Sequence, residues 1–180
     1  MNEKLYQIAR AVDEETLNIF LDPVDLVLKS ELDLDSVRNN PVLKTVVDIE
    51  GKRAFAIGLM GSIQGDLIFY AENEVVKKFE STYRRVNEED DPDLTSDDIF
   101  CEVLNMFVGR ALMNLSSTQG IECRMTSPRV LLPSSFEVKD RRYVAIFSAS
   151  FETEIGLLNY DIAIRSSGLG GSNAFKGATS

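Results

Sequence analysis

From Asp98 to Ser116 the chain is nearly all apolar, and its exceptions recur every three or four residues: Asp98, Glu102, Asn105 and Gly109. At about 100° per helical residue these four positions fall within an arc of roughly 60°. Ile99, Phe100, Val103, Leu104, Phe107, Val108, Ala111 and Leu115 cover most of the remaining circumference. A helix of this pattern must be largely buried, so the fold has to wrap around it and leave one polar strip to meet something else. Glu102 and Asn105, at i and i+3, are surface neighbours roughly 5–6 Å apart at Cβ. The strip therefore offers a carboxylate, a carboxamide and, one turn on, a glycine that lets another backbone come close.

What surrounds the strip limits the chemistry. With 180 residues, 44% of them hydrophobic, the chain can build one domain with a proper core or two small fused halves. No apolar run approaches the ~18–20 residues of a membrane span, and MNEKLYQIARAVDEE has no continuous apolar signal segment, so a soluble cytoplasmic protein is expected. The net charge of −10 argues against nucleic acid and against an anionic membrane surface as partners. Histidine is absent, which removes Ser–His–Asp and Cys–His pairs, imidazole bases and His-bearing zinc sites. Cys101 and Cys123 sit among apolar neighbours as small hydrophobes rather than a disulfide or metal framework. No Gly-rich phosphate loop appears. An enzyme built on this chain works with carboxylates, amides and hydroxyls, or with a partner's groups.

Periodicity predicts an amphipathic helix over 3–21, carrying Leu5, Ile8, Val12 and Ile19 and ending near Asp22-Pro23. Strand alternation follows at Lys44–Glu50, Arg53–Met60 and Ser62–Tyr70, with turns at Glu50-Gly51-Lys52 and Met60-Gly61. Asn73 is placed to cap a helix over Glu74–Arg85. The acidic run Asn87–Asp98 reads as a solvated linker, lacking the central glycine of a calcium loop. Thr95 and Asp98 fit a capping box for the Asp98–Ser116 helix. Strands are expected at Arg129–Leu132, Arg142–Ala149 and Gly156–Arg165, then a Gly/Ser-rich tail over 166–180.

The order helix, strands, helix, linker, helix, strands suggests a doubled unit. Shifting the chain by 87 residues brings Glu15 onto Glu102, Asn18 onto Asn105, Phe20 onto Phe107, Leu28 onto Leu115 and Pro41 onto Pro128. Both halves thus read Glu-x2-Asn, then 22 residues, then Pro. An old internal duplication is the preferred explanation, giving a single domain over 1–165 with halves at about 1–86 and 95–165 joined by 87–94.

Asp98, Glu102, Asn105 and Pro128 fit the pattern Asp/Ser-x3-Glu-x2-Asn-x22-Pro. On that signature, together with Asn105-Met106 followed by Gly109, the stretch Gly61–Tyr70 before a helix, and Leu158–Ser167 before the tail, the chain resembles the CheC/CheX/FliY family of chemotaxis phosphatases, and CheX most. The resemblance implies an α+β fold of two pseudo-symmetric halves. In it a mainly antiparallel sheet carries the two motif helices side by side on one face. It also implies a partner, the phosphorylated receiver CheY or a similar response regulator, and a homodimer.

In that frame the receiver brings its own Mg²⁺ and lysine to the phosphoaspartate, and what it lacks is a water held in line with phosphorus. A carboxamide suits the task, because its oxygen accepts from water while its NH₂ donates to a phosphoryl oxygen. Asn105 takes that role by family likeness, Glu102 pairs with the receiver lysine, and Gly109 leaves room for the receiver backbone. Simpler roles compete for the neighbours: Asp98 as a helix-start carboxylate on the dipole, Pro128 as a strand-start or turn residue, Gly109 as a helix-packing point. Glu15 and Asn18 form a candidate second site. Ala11 replaces the motif Asp/Ser there and Asp22 stands where the second copy has Gly109, so the first copy reads as vestigial. Two rivals remain at this level: a non-catalytic receiver-binding scaffold or flagellar-switch module of the same fold, and a phosphatase for a receiver outside chemotaxis.

Overall fold

A computed structural model describes residues 14–44, 46–131 and 143–165. Among these residues, three helices, α1 (Glu14–Leu32), α2 (Asn73–Val86) and α3 (Ser96–Gln119), cover one face of an eight-stranded sheet. Its strands are β1 (Val37–Arg38), β2 (Val42–Lys44), β3 (Lys52–Gly61), β4 (Gly65–Glu72), β5 (Cys123–Met125), β6 (Arg129–Leu131), β7 (Tyr143–Thr153) and β8 (Gly156–Arg165). All pairings among them are antiparallel, in the order β1-β7-β8-β4-β3-β5, with β2 beside β7 and β6 beside β3.

The two halves interlock. The short strands β1 and β2 of the first half pair with β7 of the second, and β5 and β6 of the second half pair with β3 of the first. β4 and β8 meet at the centre. The 87-residue shift carries β2 onto β6 and places β1 within β5. The ladders agree: Arg38 opposite Phe151 matches Met125 opposite Leu59.

Period-two alternation in the strands splits the sheet into two faces. Phe55, Phe69, Phe151 and Tyr160 point to the helices and join Phe79, Phe100 and Phe107 in one core. Phe100 stacks between Phe55 and Phe69 at 4.9 and 5.3 Å, with Phe79 at 4.2 Å. The opposite face carries Ala54, Ala56, Ile68, Tyr70, Ile146 and Ala163, together with two buried carboxylates. Of these, Asp66 accepts hydrogen bonds from Arg129 (2.9 Å), Arg165 (2.6 Å) and Tyr143 (2.5 Å).

Several local expectations are corrected. The first helix does not stop at Asp22-Pro23 but runs to Leu32 with Pro23 inside it, and residues 3–13 of the expected helix lie outside the described residues. An interior proline costs roughly 3 kcal/mol. Here Phe20, Leu21, Pro23, Val24, Val27, Leu28 and Leu32 form a continuous buried stripe, and burying several such side chains at ~1.5–3 kcal/mol each outweighs it. The strand expected at Lys44–Glu50 is β2 instead, ending at Lys44; Val47 and Ile49 are buried beyond it without a ladder. Asn73 is the first residue of α2 rather than its cap; Glu72 stands at the N-cap, without a side-chain hydrogen bond. The acidic run is exposed but held, since Arg84 donates to the Asp91 and Leu94 carbonyls and Asn87 to that of Glu31. Cys101 and Cys123 are free and pack against the core as expected, but half-buried rather than fully enclosed. The tail at 166–180 lies outside the described residues.

Candidate functional site

The helix α3 corrects the expectation that no segment approaches a membrane span: by length and composition it is long and apolar enough to cross one, and in this fold it is a core helix. Ile99, Phe100, Val103, Leu104, Phe107, Val108, Ala111 and Leu115 are all buried, the same eight residues that define its apolar circumference. Burying them orients the helix, so the strip faces away from the sheet. Thr95 starts the helix with the expected capping box, and Gly120 stops it in the left-handed conformation that glycine adopts without strain.

The strip residues divide by role. Asp98 is exposed and bound to the cap: its Oδ2 accepts from the Thr95 N–H at 2.9 Å and from the Thr95 hydroxyl, and these bonds hold its carboxyl below the usual carboxylate range. Glu102 is exposed and makes no hydrogen bond or ion pair among the described residues. It lies near Tyr83 of α2; burial, with Glu102 second, pushes that phenol's pKa up. Asn105 is half-buried, and its carboxamide likewise has no hydrogen-bonding partner among the described residues. A methyl built on Gly109 would meet nothing within 4 Å, so this glycine faces open space and is not a helix-packing point. Pro128 is half-buried immediately before β6, at the start of the strand.

One neighbour escaped the sequence reading. Met113 is 72% exposed, and at 100° per residue it lies only about 40° around the helix from Gly109. Its angle was legible, but an apolar residue in a greasy helix gives no signal of exposure.

The first copy is arranged differently. Glu15 is exposed and Asn18 half-buried on α1, which packs alongside α3, Asn18 and Asp22 sharing a shallow groove with Asn114 and Thr118. The Asn18 carboxamide is engaged: Arg38 donates from Nη2 to its Oδ1 at 3.3 Å and from Nη1 to Asp22 at 2.9 Å, with Asp25 at 3.6 Å. Among the described residues no group of three or more Cys, Asp or Glu side chains is placed to hold a metal ion.

The family model for chemotaxis phosphatase CheX matches residues 54–152, just over half of the 180 residues, including Glu102, Asn105 and Pro128 and excluding α1. The chain belongs to the CheX family. No curated protein matches it. Solved structures share its fold. CheX from Desulfovibrio desulfuricans superposes with a TM-score of 0.68 at 17% identity, covering 84% of this chain and 99% of that one. A CheX from Borrelia burgdorferi, solved as a CheX–CheY–BeF3–Mg complex, gives 0.66 at 22% identity, covering 83% and 97%. FliY from Thermotoga maritima gives 0.63 at 14% identity, covering 94% and 93%. The α+β fold with its mostly antiparallel sheet is thus that of CheX and CheC-like proteins.

Proposed function

We propose that this protein is a phosphatase for the phosphoaspartate of a CheY-like receiver, with Asn105 positioning the attacking water and Glu102 docking the receiver's lysine. The observation that carries this reading is the carboxamide of Asn105, half-buried and without a hydrogen-bonding partner among the described residues, beside an exposed Glu102 likewise without one and one turn from the clearance over Gly109. A polar side chain set into an apolar helix and left without a partner among the described residues is available to a visitor. Family membership supplies the kind of visitor, and the Borrelia burgdorferi CheX, solved with CheY, is consistent with it.

The chemistry asked of these residues is modest. Water oxygen bonds to phosphorus, the P–O bond to the aspartyl carboxylate breaks with its electron pair, and inorganic phosphate leaves. Asn105 Oδ1 accepts from the water and its NH₂ donates to the phosphoryl group, so the nucleophile is in line before charge develops. Mg²⁺ belongs to the receiver; the phosphatase contributes position and needs no cofactor of its own. We place the protein in the cytoplasm as a homodimer, on family likeness.

A receiver phosphorylated with acetyl phosphate in Mg²⁺ tests the reading. Wild-type protein should speed phosphate release, Asn105→Ala should abolish the acceleration with binding kept, and Glu102→Ala should weaken binding too. Equal turnover by wild type and Asn105→Ala would rule out the mechanism assigned to Asn105.

A further inference from the structure

Resting on that reading, we propose that Arg38 is a lock on a latent second phosphatase site built from Glu15 and Asn18. The repeat makes the comparison residue by residue. The shift of 87 that carries Glu15 and Asn18 onto Glu102 and Asn105 carries Asp22 onto Gly109 and Arg38 onto Met125. The sheet confirms the last equivalence independently, because Arg38 pairs with Phe151 on β7 and Met125 with Leu59 on β3, both opposite a core residue under the helices.

At those two positions the copies differ in kind. In the second, Met125 is apolar and packs against the core, and Asn105 has no hydrogen-bonding partner among the described residues; Gly109 leaves the docking face open. In the first, Arg38 sends one guanidinium nitrogen to Asn18 Oδ1 and the other to Asp22, an ion pair that fastens β1 to α1. The oxygen that would accept from an attacking water is the atom Arg38 takes. Asp22 and Asp25 add carboxylates where the partner brings a phosphorylated, Mg²⁺-binding carboxylate pocket. Glu15, exposed and unpaired among the described residues, is left as the second copy leaves Glu102.

The site would take the same substrate class, a receiver aspartyl phosphate, by the same displacement. Its location is distinct: Asn18 lies by Asn114 and Thr118, nine to thirteen residues along α3 from Asn105, roughly 13–20 Å at about 1.5 Å per residue.

The test is made in Asn105→Ala protein, whose own site is silent. Arg38→Met with Asp22→Gly installs the second copy's residues. Phosphate release from an acetyl-phosphate-loaded CheY receiver should then rise at least about tenfold above the Asn105→Ala baseline, and adding Asn18→Ala should return it there. Arg38→Met alone, which adds no helix glycine, covers the case in which the double variant melts early, and should give a smaller rise. Release at baseline from either folded variant overturns the lock. Wild type without activity refutes the proposed function instead; the lock is then read by light scattering, where a second receiver bound per chain in the unlocked variant supports it and an unchanged ratio refutes it.

Discussion

Thr95 and Asp98 hold each other at the start of α3: the Asp98 carboxylate accepts from the Thr95 N–H at 2.9 Å, and the Asp98 N–H donates to the Thr95 hydroxyl at 3.3 Å. The first residue of the motif is thereby a structural clamp, one helical turn from the groups proposed to act. Thr95→Ala should cost about 1 kcal/mol in denaturant melts, with turnover changed far less than by Asn105→Ala. The pH sign follows from the depressed carboxyl of Asp98. Its contribution is present above the ordinary carboxylate range near pH 4 and is lost as pH falls through the folded value. Asp98→Asn should remove that acid-side loss, seen as flatter exchange protection of the first-turn amides of α3.

Gly109 separates stability from function. Nothing lies within 4 Å of a methyl placed there, so Gly109→Ala should stabilise the helix by up to about 1 kcal/mol, the ordinary difference in propensity. Gly109→Leu should fold as well but lower phosphate release by crowding the receiver. A leucine variant with wild-type turnover would show that no partner backbone approaches at this point.

The second copy of the motif was legible because its determinants are local. Eight apolar residues at helical spacing orient α3, and Thr95 with Asp98 three residues on marks its start. Pro23 misled because a local rule met a longer-range one: the buried stripe from Phe20 to Leu32 exists only once the sheet is in place. β1 and β5, two and three residues long, carry no periodicity of their own and are defined by ladders to β7 and β3, far along the chain. Arg38 was silent for the same reason. Its grip on Asn18, across twenty residues, depends on β1 being carried to the second half's strand.

Asp161 should titrate with the opposite sign to Asp98. It is fully buried on the sheet's outer face, with the Tyr70 hydroxyl 3.3 Å from each of its oxygens. Burial pushes its carboxyl up, only partly offset by Ser148 and Lys44. A raised group contributes stability that is present at low pH and lost as pH rises from about 4 through the folded value. Asp161→Asn should therefore gain stability relative to wild type as pH rises to neutrality, in urea melts across that range. A variant that falls further behind with rising pH would show that the carboxylate is better served than its burial indicates.

Tyr160 isolates the cost of a hydroxyl from that of a ring. It is fully buried among the helix-face aromatics, with Phe107 and Phe69 edge-on at 6.3 and 6.4 Å, and its hydroxyl has no hydrogen-bonding partner among the described residues. A buried polar group left unmade costs about 1–3 kcal/mol, whereas the ring contacts are unchanged in phenylalanine. Tyr160→Phe should raise stability by about 1 kcal/mol, roughly 2–4 °C in melting temperature for a chain of this size. Phosphate release should stay at the wild-type rate, since the substitution touches only the inner side of the sheet–helix layer. A lower melting temperature would mean that the hydroxyl has a partner in solution.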